Sequence, residues 1–173
     1  MADAVEECAE DTEGQTCYIC TEAVKEETNE GLVSGFCACR GGLSFAHVSC
    51  LARGAQIEVE RDAQRWKRWH TCRQCEQEYH GVVKHALGWA CWKTYVDRPE
   101  ADGARRLAMN LLGHGLYAAD HFVDAVSVQE AELSMMRRVG ASEGNVLIVQ
   151  GNLANSHVRL GRSEPVSYTH LRA

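Results

Sequence analysis

The chain has little of several features that would assign it to a common class. It has 173 residues but only two prolines. None of its apolar runs approaches the roughly 18 residues that a membrane helix needs. The N-terminus has no basic stretch followed by an apolar one, so we expect no signal peptide. These absences predict an intracellular, cytoplasmic protein with no membrane segment in this chain, and a hydrophobic content of 45% suffices for a packed core.

Positive charge is scarce at the N-terminus. Residues 1–30 contain ten Asp or Glu and one basic side chain, Lys25, whereas the other 143 residues carry 17 basic and 14 acidic side chains. The segment 1–16 has few apolar residues and no hydrophobic period, so we predict an acidic disordered leader there. This acidity also argues against binding to the phosphate backbone of a nucleic acid.

Cysteine is abundant in one part of the chain and absent from another. Seven of the nine cysteines lie between Cys17 and Cys75, and none follows Cys91. In a reducing compartment this number indicates metal or redox chemistry rather than disulfides. The clustering predicts a domain boundary near residues 80–85. Cys8 and Cys91 have no partner at ligand spacing, and Cys91 is predicted to be a small buried hydrophobe.

The clustered cysteines and one histidine form four short pairs of metal-ligand type. Zinc prefers thiolate and imidazole ligands, and a CxxC pair lets both sulfurs reach one ion at about 2.3 Å. Two pairs complete one tetrahedron, so four pairs predict two zinc ions. Eight protein ligands leave no open position for water, which argues against hydrolysis at the metal. The pairs are Cys17 with Cys20, Cys37 with Cys39, His47 with Cys50, and Cys72 with Cys75.

The order and spacing of these ligands resemble the RING-CH, or RING-variant, zinc finger. One residue separates Cys37 from Cys39, seven separate Cys39 from His47, and residues 37–51 read CACRGGLSFAHVSCL, which follows the pattern of that family. The resemblance covers residues 17–80. The PHD finger, which reads histone tails, has the same ligand order and is the alternative, although both of these intervals usually differ in it.

The resemblance implies a small α+β domain in which two zincs are held in a cross-brace. It also implies a ubiquitin-protein ligase module with no catalytic side chain of its own. Such a module binds a ubiquitin-loaded conjugating enzyme and positions its thioester for reaction. The implied ligand sets are Cys17, Cys20, His47 and Cys50 for the first zinc, and Cys37, Cys39, Cys72 and Cys75 for the second.

The 21 residues between Cys50 and Cys72 predict an amphipathic helix. They contain no proline, and their small and apolar residues recur at three- and four-residue steps. Its polar side would carry Glu58 together with several arginines. The apolar positions are Ala55, Val59, Ala63 and Trp66, and the arginines are Arg61, Arg65 and Arg68.

The resemblance places the conjugating enzyme against the first zinc loop and the helix after Cys50. Two positions depart from the family: Gly54 stands where it commonly has tryptophan, and Glu76 stands where ligases often have a basic contact to ubiquitin. For Trp66 and Trp69 we expect core packing, with partner contact as the alternative because tryptophan is enriched in binding hot spots. The candidate partner-binding residues are Ile19, Leu51, Trp66 and Trp69.

From residue 82 the composition predicts an all-α segment. We expect four helices over 82–96, 104–119, 121–139 and 143–160, joined by short loops into stacked antiparallel pairs. The run 151–161 resembles the first helix of a tetratricopeptide repeat of the kinesin-light-chain-like kind, with Ala154 and Gly161 where paired helices pack closely. The alternative is a generic small helical bundle.

The predicted organisation is a leader over 1–16, a zinc finger over 17–80 and a helical, repeat-like region over 82–164. Residues 165–173 break the helical pattern and resemble a translated cloning adaptor, so we expect a non-native tail and a natural chain that continues beyond Glu164. The fold is therefore expected to be mostly α overall. A protein partner is expected on the helical region, and a non-catalytic, zinc-stabilised scaffold is the alternative to a ligase.

Overall fold

The computed structural model describes residues 2–161, and that part of the chain is 60% helix and 4% strand. The prediction of a mostly helical protein is confirmed. Two short 3-10 segments also occur, at Gly41–Ser44 and Ala63–Trp69. None of the described helices is long and apolar enough to cross a membrane. The predicted tail at 165–173 lies outside the described residues. The α-helices are α1 (Ala2–Glu7), α2 (Val48–Arg61), α3 (Gly81–Tyr95), α4 (Gly103–Ala118), α5 (Phe122–Arg138) and α6 (Glu143–Arg159).

Extended pairing is slight in the zinc region, by which we mean residues 17–80. Within the described residues it is limited to three isolated antiparallel bridges, and the α+β prediction therefore overstated its β content. Gly35 and Gly41 both have a positive φ, so the chain turns twice between the partners of the middle bridge and leaves little room for a longer ladder. The bridges join Lys25 to Glu30, Val33 to Ala46, and Thr71 to Glu78.

Helix α2 ends ten residues before the predicted helical pattern does. Asp62 has extended backbone angles, and its side chain accepts a hydrogen bond of 2.9 Å from the backbone N–H of Gln64. This local cap starts a new turn in a new direction, so the tryptophans lie on the 3-10 segment instead of on α2. The prediction of one helix up to Thr71 is therefore wrong beyond Arg61.

The N-terminus forms helix α1 and packs on the protein, so the prediction of a disordered leader is wrong there. Ala4 and Cys8 lie four residues apart and are both buried. Val5 packs on Gly31 so closely that an added Cβ at Gly31 would lie 2.6 Å from Val5 Cγ1. The composition of residues 1–16 obscured this short apolar face because the surrounding positions are acidic.

The helical region, α3 to α6, has the four predicted helices, and every boundary agrees within one residue. Helices α3 and α4 approach closely at two glycines: an added Cβ would lie 3.2 Å from Leu111 O at Gly88 and 3.1 Å from Lys84 O at Gly115. These pairings show that the two helices are antiparallel. The expected close packing at Gly161 is not found among residues 2–161, since an added Cβ there would meet none of their atoms within 4 Å.

Helix α3 joins the zinc region to the rest of the helical region. Val83 and Leu87 lie in one buried cluster with zinc-region residues, and Cys91 and Tyr95 lie in another with Trp69. Packing therefore continues across the predicted boundary near residues 80–85. The division into domains at 17–80 and 82–164 stays a prediction.

Candidate metal centre

Two groups of four ligand side chains converge in the zinc region. In each group the potential ligand atoms all lie within 4.8 Å of one another. The first and third pairs of the sequence share one group, and the second and fourth pairs share the other. The first group is Cys17, Cys20, His47 and Cys50, and the second is Cys37, Cys39, Cys72 and Cys75.

The distances within these groups match tetrahedral zinc. With Zn–S near 2.3 Å and Zn–N near 2.0 Å, a tetrahedron separates two sulfurs by about 3.8 Å and a sulfur from a nitrogen by about 3.5 Å. The Sγ atoms of Cys39 and Cys72 are 3.8 Å apart. His47 Nδ1 lies 3.3 Å from Cys20 Sγ and 3.8 Å from Cys50 Sγ. The donor atoms, their number and their spacing therefore fit two zinc ions, as predicted.

Both CxxC pairs have the same local structure. The backbone N–H of Ile19 donates to Cys17 Sγ at 3.4 Å, and that of Gln74 donates to Cys72 Sγ at 3.3 Å. An N–H dipole directed at sulfur favours the thiolate, which is the form that binds zinc. The same short sequence pattern thus produces the same ligand geometry twice.

The residue after each CxxC pair has left-handed backbone angles. Thr21 has φ 67° and Glu76 has φ 56°. The backbone N–H of Thr21 bonds to Cys17 O at 2.8 Å, and that of Glu76 bonds to Cys72 O at 3.1 Å. These bonds close the two turns, and the strain of a non-glycine residue in this region is a cost of placing the sulfurs.

Burial opposes the ionisation of three of these thiols. It raises the pKa of Cys37 and Cys50 well above the ordinary value and that of Cys39 to about 11. Cys75 differs, because backbone hydrogen bonds, chiefly from Gln77, lower its pKa to about 6. Zinc binds thiolate, and its charge would offset the cost of burying several negative sulfurs together. Each ion would join segments that are far apart in sequence, such as Cys20 with His47.

A groove lies between the two CxxC turns and α2. Its cavity of about 220 Å³ is lined by Ile19 and Leu51, two of the predicted partner-binding residues. Gly54 also lines it, and an added Cβ there would meet no atom within 4 Å. Arg73 and Gln74 of the second CxxC turn line it as well. The structure thus brings Ile19 and Leu51 together beside an open space at Gly54.

The two tryptophans lie elsewhere. Trp69 is 1% exposed, which agrees with the expected core packing and contradicts the alternative of a partner contact. Its ring centroid lies 5.9 Å from that of Tyr95, and the centroid of the partly buried Trp66 lies 5.3 Å from the same ring. The turn at Asp62 explains this placement, because it returns the 3-10 segment to α3.

Glu58 is a groove residue that the sequence pattern assigned to the solvent-exposed side of α2. It is buried, and its carboxylate pairs with Arg65 and lies 3.8 Å from Arg61 and 3.9 Å from Arg73. The hydrogen bond from Arg65 holds the pKa of Glu58 below its ordinary value. Three arginines around one carboxylate leave this side of the groove positively charged. The sequence feature that could have indicated this cluster is one acidic residue followed by arginines three, seven and fifteen positions later.

Glu76 connects the second CxxC turn to the 3-10 segment. Its carboxylate oxygens lie 3.0 Å from Lys67 Nζ and 2.7 Å from Arg68 Nη2. These cations lower the pKa of Glu76, with Arg68 the larger cause. The acidic residue at this position therefore has an internal role in this chain.

Comparison with known proteins agrees with this geometry. Residues 17–77 match the family described as the RING-variant domain. No curated protein and no solved structure matches the chain. The matched range begins at the first ligand and contains all eight. The chain therefore carries a RING-variant domain with two zinc-binding clusters, followed by a helical region.

Proposed function

We propose that the zinc region is a ubiquitin-protein ligase module that binds a ubiquitin-loaded conjugating enzyme. In this proposal the alternating ligand sets hold two zincs in a cross-brace. The zincs are structural, because each has four protein ligands and no position for substrate. The reaction is then accelerated by holding the thioester in a reactive geometry rather than by a side chain of this protein.

The observation that carries this proposal is the groove beside the first zinc cluster. Ile19 is 45% exposed at its edge although it is a large apolar side chain, whereas Leu51 in its wall is only 5% exposed and mainly supports the groove from below. An exposed apolar side chain next to a concave surface is typical of a protein contact. Both CxxC turns line the groove, so its shape depends on both zinc ions.

The experiment is discharge of ubiquitin from a panel of loaded conjugating enzymes. We expect the wild-type chain to accelerate discharge from at least one of them, and Ile19→Glu to reduce that acceleration at least tenfold because it places a charge in the contact. Ile148→Glu is the matched control, since Ile148 is 61% exposed on the distant helix α6. Cys37→Ser should remove one zinc and the activity together.

The result that contradicts the proposal is a folded wild-type chain with two bound zincs that accelerates no enzyme of the panel. Equal activity of Ile19→Glu and Ile148→Glu would separately contradict the assignment of the groove.

A non-catalytic scaffold is the second candidate function. Glu76 favours it, because a position at which ligases often have a basic contact is occupied here by a carboxylate paired with Lys67 and Arg68. In this proposal the helical region, with tetratricopeptide-like antiparallel pairs, binds a protein partner and the zinc region serves as a rigid attachment. Two results together would support it. The wild-type chain would accelerate ubiquitin discharge from none of the conjugating enzymes, and a fragment with only α3 to α6 would still bind a protein partner.

A further inference from the structure

The acidic side chains of the N-terminal part have no ion-pair partners within the described residues. Seven carboxylates beyond residue 30 pair with Lys or Arg, whereas none of the ten in residues 2–30 does. The one basic residue of this part, Lys25, donates from Nζ to Ser49 Oγ at 3.2 Å. This surface therefore has a strong negative potential that the basic side chains of residues 2–161 do not neutralise.

An apolar groove lies within this acidic surface. Its cavity of about 510 Å³ is formed where the N-terminal segment crosses the loop after the first CxxC turn. Val24 is 48% exposed in its wall although neighbouring Leu32 is buried. Glu10 and Glu13 also line the groove, and neither makes a salt bridge within residues 2–161. The apolar lining residues are Val5, Ala9, Ala23, Val24 and Leu32.

The seating of α1 fixes one wall of this groove. Val5 fits against Gly31 only because that residue has no side chain, and the Sγ of buried Cys8 lies 3.8 Å from Ser34 O. The wall therefore depends on specific packing and keeps the carboxylates of Glu10 and Glu13 beside the apolar lining. An apolar floor with acidic edges is complementary to a segment that has apolar side chains between basic ones.

We propose that this acidic groove binds a Lys- or Arg-rich segment of a partner protein through an apolar side chain that enters the groove. Nucleic acids and acidic proteins are repelled by the same charges. The groove is distinct from the one beside Leu51 and Gly54, because the two share no lining residue. The proposal therefore holds whether or not the zinc region is a ligase.

The test uses the full chain with zinc and three fluorescein-labelled peptides in an anisotropy titration. The first peptide alternates lysine and leucine residues, the second replaces every leucine with serine, and the third replaces every lysine with glutamate. We expect binding of the first peptide, at least tenfold weaker binding of the second, and none of the third. Binding of the first should weaken as salt rises from 50 to 200 mM, because exposed charges are screened. Equal binding of the first two peptides, or of the first and third, would overturn the proposal.

Variants locate the binding surface. We expect the double variant Glu10→Lys, Glu13→Lys to weaken binding of the lysine-leucine peptide at least tenfold. Its control is Glu130→Lys, Glu143→Lys, which makes the same change in net charge on exposed positions of α5 and α6. Val24→Ser should also weaken binding, whereas Val123→Ser, at an exposed valine of α5, should not.

Three results would overturn the assignment. The first is equal weakening by the two charge variants, which would show attraction to net charge alone. The second is a Val24→Ser chain that binds the peptide as tightly as wild type. The third is a wild-type chain that dimerises as its concentration rises in sedimentation, with no dimer for Val24→Ser. This result would show that the groove binds a second copy of the chain. Two bound zincs and an unchanged helical circular-dichroism signal confirm that each variant is folded.

Discussion

The zinc region and the helical region reach a stable structure by different means. The zinc region has three isolated bridges, two 3-10 segments and one long helix, and its loops converge on two ligand clusters. The helical region is four helices of 15 to 17 residues that pack in sequence order through buried apolar side chains. Local hydrogen bonds and burial suffice for the second, whereas the first needs a cation to bring its thiolates together.

Because of this difference, we expect the two regions to be destabilised by different changes. In the zinc region, removal of metal leaves buried thiolates that repel one another, or thiols that no longer join distant segments. In the helical region, the weak points are glycine contacts between helices and buried polar groups such as Glu132. Helix α3 contacts both regions, so it is where the two kinds of stabilisation meet.

The largest expected effect is that of zinc removal. Structural zinc contributes roughly 10–16 kcal/mol of binding free energy in small zinc-finger peptides, which exceeds the net stability of most small domains. We expect a chelator to abolish amide hydrogen-exchange protection over residues 17–80 while α5 and α6 keep theirs. Protection in α3 should fall partly, because Val83 and Leu87 lose their contacts with the zinc region. Equal loss in α6 would show that the two regions unfold as one unit.

An intermediate effect is expected at Glu132 in α5. This side chain is 1% exposed, and neither of its oxygens has a hydrogen-bond partner within the described part of the chain. Burial raises its pKa to about 7, although Asn110 and Arg106 act in the opposite direction. A carboxylic acid whose pKa is raised by folding holds its proton more tightly in the folded state. It therefore lowers the free energy of unfolding as the pH rises above the pKa of the unfolded chain, about 4.5.

Replacement by glutamine should remove this pH dependence. Glu132→Gln should increase the free energy of unfolding by about 3 kcal/mol at pH 8, by conversion of the pKa shift, and by less at pH 5.5. Urea unfolding of α5 and α6, followed by hydrogen exchange at both pH values, measures the difference. Glu130→Gln, an exposed neighbour on the same helix, should have little effect at either pH. If the difference in free energy of unfolding between Glu132→Gln and wild type is the same at pH 5.5 and pH 8, this account is refuted.

The smallest effect is expected at the turn after the first CxxC pair. Thr21 has a β-branched side chain at φ 67°, and such a residue costs about 1–2 kcal/mol in left-handed backbone. Glycine has no such cost but loses more entropy on folding, so Thr21→Gly should stabilise the zinc region by about 1 kcal/mol. This stabilisation should appear as a higher affinity for zinc, measured by competition with a zinc chelator.

Thr28→Gly provides the control, because Thr28 is exposed in the same region and has no positive φ. It should be neutral or destabilising. If both glycine variants weaken zinc binding equally, the backbone at Thr21 is not strained. This result would also question the equivalent turn at Glu76.

Short-range features were predictable from the sequence, and long-range placements were not. The eight ligands follow from their spacing, and the four C-terminal helices follow from composition and from the turns between them, which are local properties. The end of α2 at Arg61 was missed because the capping side chain of Asp62 outweighed a continuous helical pattern. The burial of Glu58 was missed for the same reason, since its pairing with Arg65 depends on where the chain goes after that turn.

The sequence by itself determined which groups bind metal, because a CxxC pair and its N–H···S bonds are built within a few residues. It also determined the concentration of carboxylates in residues 1–30. Tertiary structure decided which ligand pairs share a cluster. It also placed Ile19 with Leu51 at one groove and Val5 with Val24 at another. The physical reason is that the ligand sets and both grooves join residues about 20 to 40 positions apart in sequence, and only the packed chain brings them together.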